Sequence, residues 1–157
     1  MKYCIDSCSL IDLGERHYPE SMNVFEPIWN RIYTEISNTS LISVDVVKLE
    51  VEQKADDWRT AFLSRASAMF EISESIEQEF ASVIADIESN PIFSMNQARN
   101  RFMSGADPWL IALARHHGGA TIVTSETKNL SAYGLREVAN VLGVPNISLL
   151  EYIGLAN

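Results

Sequence analysis

Long hydrophobic runs are missing from this chain of 157 residues. No stretch approaches the roughly 20 apolar residues that a membrane-spanning helix requires. The opening Met-Lys-Tyr-Cys-Ile-Asp reaches an acid before the apolar core of a signal peptide can form. A cytoplasmic protein with no membrane partner is therefore expected. Cysteine is scarce too. Cys4 and Cys8 are too few for a disulfide framework. A zinc site would need two further ligands, and His17, His116 and His117 do not stand at zinc-finger spacing. The two thiols are read as buried or half-buried. Positive charge is the third shortage. Twelve Lys and Arg against 21 Asp and Glu leave a net charge of −9. That excludes a protein holding nucleic acid by a whole-molecule basic field. Such binding would need a local basic patch or a bridging cation. Repeats and low-complexity segments are also absent.

What is present suits one domain over residues 1–157, long enough to bury a real core. Short apolar runs at Lys2–Asp6, Leu41–Ser43, Ala120–Val123 and Asn146–Leu149 read as strands. Helical periodicity marks Pro19–Asn38, a segment opening at Asp45, Asp56–Met69, Ser75–Ser89, Met95–Met103, Ala106–His117 and Arg136–Leu142, with a terminal turn at Leu150–Leu155. Phe70–Ile72 fits either a strand or a helix end. Ser7 or Ser9 is the expected cap of the first helix, and Asp45 the cap of a later one. Pro27 is expected to kink the start of its helix. The alternation predicts an α/β fold with a parallel sheet and a helical insertion. Much of the acid surplus lies in Asp45–Glu88, with eleven acids against four Lys or Arg. Solvated helix faces account for it, with a surface for a basic partner as the alternative.

The chain is organised around Ala106–Glu126. Asp107 precedes Pro108 and an apolar helix, Gly118-Gly119 breaks it, and Glu126 follows the next strand. In an open α/β sheet, strand carboxyl ends and helix amino ends share one crevice. Asp6, at the end of the first strand, has the same setting. Taken alone it reads as a structural, cap-type acid, with a ligand as the alternative. Glu50, between Leu49 and Val51, is an acid among apolar neighbours and must be paired, protonated or holding a cation. Four carboxylates packed together repel one another, and a divalent cation removes that cost. Mg²⁺ and Mn²⁺ prefer oxygen ligands. Phosphodiester hydrolysis uses such a centre, through an activated water and neutralised phosphate charge.

Four motifs, in order along nearly the whole chain, resemble those of the PIN domain family of metal-dependent ribonucleases. Tyr3–Ile11 (Y-C-I-D-S-C-S-L-I) resembles the family's opening Asp-Thr-Asn motif, and Leu41-Ile42-Ser43 precedes the helix bearing Glu50. Ala106–Ala114 (A-D-P-W-L-I-A-L-A) resembles Ala-Asp-x-x-Ile-Ala, and Ile122–Glu126 (I-V-T-S-E) resembles Thr-x-Asp. The D-S-C-S-L-I-D opening and G-V-P-x-I-S-L-L-E ending look most like a prokaryotic DUF4411-type branch. The resemblance implies a three-layer α/β/α PIN-like fold with a short, mostly parallel sheet. It implies Mg²⁺ or Mn²⁺ held by Asp6, Glu50, Asp107 and Glu126, with Ser7 and Thr124 as orienting hydroxyls. It implies an endoribonuclease that leaves a 5′-phosphate, acts as the toxin of a toxin–antitoxin pair, binds an antitoxin protein and forms a homodimer. Cys8 departs from the usual Asn and Glu126 from the usual Asp. The spacing to Glu50 is one residue longer than usual, which leaves Asp45 as a second candidate.

Arg99, Arg101, Arg115 and Lys128 flank the motifs and are candidates for holding RNA phosphates. His116 and His117 end a helix, where positive charge is favoured. Trp29, Trp58, Phe62 and Phe80 read as core, with a partner surface as the alternative. A catalytically weak PIN-like protein-binding module is the competing reading, favoured by the acidic surface and by Glu126. An acid-rich phosphatase is more remote, because Asp6-Ser7-Cys8 lacks the Asp-x-Asp of its covalent form.

Overall fold

The computed structural model describes residues 1–54, 56–126 and 133–154. Five parallel strands form one sheet: β1 (Tyr3–Ile5), β2 (Leu41–Val44), β3 (Phe70–Glu71), β4 (Thr121–Thr124) and β5 (Asn146–Ser148), in the order β3-β2-β1-β4-β5. All four pairings are parallel, with Tyr3 opposite both Leu41 and Thr121. β1 is buried along its whole length, as is β2, which suits a sheet covered on both faces. The helices are α1 (Ser7–Ile11), α2 (Glu26–Ser37), α3 (Asp45–Glu52), α4 (Asp57–Arg65), α5 (Glu77–Ser89), α6 (Gln97–Ser104), α7 (Asp107–His116), α8 (Leu135–Val141) and α9 (Leu149–Gly154). α7 packs over β1, β2 and β4, with α5 laid against its outer side. α2 packs on β2 and is tied to α9, where Arg31 donates to the carbonyls of Tyr152 and Ile153. The chain steps one way from β1 through β2 to β3, then crosses back to β4 and steps the other way. Right-handed crossovers therefore send the two helix groups to opposite faces, giving an α/β/α sandwich. None of the described helices is long and apolar enough to cross a membrane.

The strand order reverses between β1 and β4. That is the switch point of an open α/β sheet, where a crevice forms outside the strand carboxyl ends. α7 runs back along the sheet toward the start of β4, so its amino end lies at the same edge. Gly118 and Gly119, at φ 73° and 91°, make the reversal, and the Gly119 amide closes the helix on the Ala114 carbonyl at 2.9 Å. Positive φ is cheap only for glycine.

Several expectations need correction. Asp6, not Ser7 or Ser9, caps α1: its carboxylate accepts from the Ser9 amide at 2.8 Å. Asp45 opens α3 but caps nothing, and instead accepts from the amide and hydroxyl of Ser73. α2 begins at Glu26 after a 3-10 turn at Asn23–Phe25, so Pro27 sits in the first turn and starts the helix without kinking it. Phe70–Glu71 is a strand, held at the sheet edge by β2. α1 continues into a π segment, Asp12–His17, where the Tyr18 amide reaches back five residues to the Leu13 carbonyl. There a Cβ on Gly14 would lie 2.0 Å from Cζ2 of Trp58. Trp29 and Phe62 are buried, Trp58 stacks on Phe62 and Phe80 stacks on Trp109. These aromatics fill the core and its margins.

Candidate metal centre

Burying a polar group is costly unless it is hydrogen-bonded. Among the described residues, Asp6, Ser7, Ser9, Ser43 and Thr124 are buried together at the carboxyl edge of β1, β2 and β4, and each has a partner there. Asp6 is fixed through both oxygens. Oδ1 takes the Ser9 amide, and Oδ2 accepts from the Thr124 hydroxyl at 2.5 Å. Thr124 Oγ1 in turn accepts from the Glu126 amide at 3.2 Å. The Ser43 hydroxyl donates to the Ile5 carbonyl at 2.7 Å, just before Asp6. That last contact has no sequence signal, because Ser43 looks like any small residue inside a strand.

Glu50 reaches the same edge from α3, and Ser7 donates to its Oε2 at 2.5 Å. The reason for expecting Glu50 there was partly wrong. Leu49 is 62% exposed and only Val51 is buried, so Glu50 does not sit inside an apolar patch. It turns toward α1 while its two neighbours diverge, as adjacent helical positions must. Asp45, the second candidate, is taken by Ser73 near β3. Asp107 stands in the first turn of α7, where the positive end of the helix dipole favours a carboxylate. Glu126 accepts from the Leu135 amide at 2.9 Å, which ties the exit of β4 to the start of α8.

Electrostatics bring the four acids into one group. Burial, and then the charges of Glu126, Asp6 and Glu50, raise the Asp107 carboxyl from 3.8 to about 7. Burial is also the main cause raising Asp6 to about 6, with Glu126 adding to it and the Ser9 and Thr124 hydrogen bonds opposing it. Among the described residues, no Lys, Arg or His forms an ion pair with any of the four. An all-oxygen, strongly anionic donor set, with no counter-charge among the described residues, matches what Mg²⁺ or Mn²⁺ takes. It is not a closed cage: among the described residues no three His, Cys, Asp or Glu side chains already stand around one point. Mg²⁺ usually keeps several waters and uses one or two carboxylates, so the donor set fits a hydrated ion. Asp6 and Thr124 are locked, whereas among the described residues no hydrogen bond holds the Asp107 carboxylate and Glu50 and Glu126 each use one oxygen.

The basic residues fare differently. Arg115 lies in the last turn of α7, about 12 Å along the helix axis from Asp107, and pairs with Asp86 at 2.8 Å. It is at the wrong edge of the sheet to meet a phosphate at the carboxylates. Arg99 is only 8% exposed, with its Nε buried and unpartnered, so it does not offer an open surface contact. Arg101 is exposed on α6. Lys128 lies outside the described residues. His117, at the far end of α7, meets Glu71 at 2.6 Å. Cys4 is buried and burial drives its thiol far up, while Cys8 is exposed, so the two make no shared ligand pair.

Comparison with curated proteins gives no match, and neither does comparison with solved structures. The model of the family described as "Domain of unknown function (DUF4411)" matches residues 3–157, so the chain belongs to that family.

Proposed function

We infer that this protein is a Mg²⁺- or Mn²⁺-dependent endoribonuclease of PIN type. The observation that carries the reading is the placement of Asp6, Glu50, Asp107 and Glu126 about the switch point, near enough that burial and the charges of the other three raise the Asp107 carboxyl to about 7. An anionic cluster with no cation costs stability, and a chain that keeps one has a use for it. Asp6 and Asp107 are the strongest candidates for direct ligation, with Glu50 and Glu126 holding the ion's waters. When bound, the ion supplies an activated water and neutralises charge on the scissile phosphate. The chain's own part is orientation. Thr124 fixes the plane of the Asp6 carboxylate, Ser7 fixes that of Glu50, and the α1 cap holds Asp6 at the strand end. Deprotonation of Asp6 and Asp107 accompanies loading, because ligands must be charged. Arg101 and Lys128 remain candidates for phosphate contact. A role as the toxin of a toxin–antitoxin pair, with an antitoxin partner and a homodimer, follows from the PIN resemblance alone.

One observation favours the catalytically weak binding module. Glu126 already has a structural task, since its Oε2 holds the Leu135 amide. The test is cleavage of a mixed-sequence RNA with Mn²⁺, by wild type and by Asp107→Asn. Cleavage to 5′-phosphate ends by the wild type alone supports the nuclease. No cleavage by the wild type at saturating Mn²⁺ supports the binding module.

A further inference from the structure

Beside the carboxylates, the exit of β4 opens on a second feature, a cavity of about 330 Å³. Three segments line it. The π segment after α1 contributes Asp12 and His17, with Tyr18 just beyond. The wider π turn is what brings positions 12 and 17 to one wall, and π bulges occur disproportionately at functional sites. Ser125 comes from between Thr124 and Glu126, so the cavity adjoins the acid cluster through a single residue. The β5–α9 junction closes the third side with Ser148, Leu149 and Leu150.

The walls suit a flat heteroaromatic ring. Leu149, Leu150 and Tyr18 supply apolar surface, and Asp12, His17, Ser125 and Ser148 supply polar groups. The volume falls at the small end of ligand pockets. Two of the polar groups have a defined vacancy. Ser148 Oγ accepts from the Glu151 amide at 3.0 Å, which leaves its proton to donate outward. Asp12 Oδ1 is taken by Arg16 at 2.8 Å, which leaves Oδ2 as an acceptor. An anionic acceptor calls for a ligand N–H. The exocyclic amino groups of adenine, cytosine and guanine supply one, whereas uracil has no exocyclic amino group and its ring N3–H lies between two carbonyl oxygens that a carboxylate repels.

We propose that this cavity holds the base of the nucleotide next to the phosphate at the acid cluster, and that Asp12 accepts a hydrogen bond from that base's exocyclic amino group. The placement beside a phosphate rests on the nuclease reading, while binding of an amino-bearing nucleoside does not. The test is saturation-transfer NMR of adenosine, cytidine and uridine, none carrying phosphate, with wild type, Asp12→Asn and Leu150→Trp. Leu150 is 71% exposed, so the bulkier ring can crowd the cavity without entering the core. Adenosine and cytidine are expected to bind, with uridine about fivefold weaker because its flanking carbonyl oxygens oppose the Asp12 carboxylate where an amino group would donate to it. Asp12→Asn is expected to erase that preference, and Leu150→Trp to weaken every nucleoside. Absence of nucleoside binding to the wild type, equal binding of uridine, or indifference to both variants overturns the proposal. Hydrolysis of bis(p-nitrophenyl) phosphate with Mn²⁺, a diester with no nucleobase, separates the two readings. Hydrolysis without nucleoside binding defeats the pocket alone, and nucleoside binding without hydrolysis defeats the nuclease alone.

Discussion

Replacing Asp107 by Asn makes the metal-free protein more stable above neutral pH. The folded protein raises the Asp107 carboxyl from 3.8 to about 7, through burial first and then the charges of Glu126, Asp6 and Glu50. A carboxyl raised on folding binds its proton more tightly in the native state than in the unfolded chain. Stability therefore falls as pH rises from the unfolded value near 4, and the full penalty is present once pH passes the folded value near 7. Each pH unit of that gap costs about 1.4 kcal/mol, which sets an upper bound of roughly 4 kcal/mol for this group. Asn removes the charge but leaves a buried amide dipole, so the expected gain at pH 8 is about 1–3 kcal/mol. The assay is urea unfolding with chelator present, from pH 4.5 to pH 8. Wild type should lose stability across the range, and the variant should lose less. A variant less stable than wild type at pH 8, or one with a parallel pH profile, refutes the reasoning.

Two further outcomes follow from single contacts. Thr124→Val keeps the strand and its shape but leaves Asp6 Oδ2, now bonded at 2.5 Å, without a donor. It should cost about 1–3 kcal/mol and push the Asp6 carboxyl further up, measurable by urea unfolding and by NMR titration. Gly14→Ala places a Cβ 2.0 Å from the Trp58 ring, so the π segment or α4 must shift. A loss of about 1–3 kcal/mol is expected from overpacking, with a change in tryptophan fluorescence that a surface Gly→Ala would not give.

The acid cluster was legible where local grammar and tertiary position coincide. Asp6 sits at the end of a short apolar run, and Asp107 beside a proline that can only begin a helix. Both positions lead to the same sheet edge once the strands are parallel. Glu50 was found for a partly wrong reason, because Leu49 faces outward and its neighbours say nothing of where the carboxylate points. The choice between Glu50 and Asp45 depends on which helix each meets, Ser7 of α1 or Ser73 beyond β3, and those partners are 43 and 28 residues away. Tertiary position set aside two of the four basic candidates in the same way, Arg99 by burial and Arg115 by its distance from the carboxylates. Arg115 is close to Asp107 in sequence, but eight helical positions carry it to the opposite edge. The π segment left no trace in the sequence, since an α turn and a π turn differ in hydrogen bonding more than in composition. It is fixed by Trp58 lying on Gly14 and by Arg59, whose guanidinium grips Glu15 through Nε at 2.6 Å and Nη2 at 3.1 Å. β3 is two residues long, too short for any period to register.

Calorimetric titration of the metal-free protein with Mn²⁺, repeated in two buffers of different ionisation enthalpy, tests the acid cluster most directly. Saturable binding near one or two ions is expected, with protons released at pH 6 as Asp6 and Asp107 give theirs up, and with loss of binding in Asp107→Asn. Wild-type protein that takes up no Mn²⁺, or an Asp107→Asn variant that binds it equally well, contradicts the account.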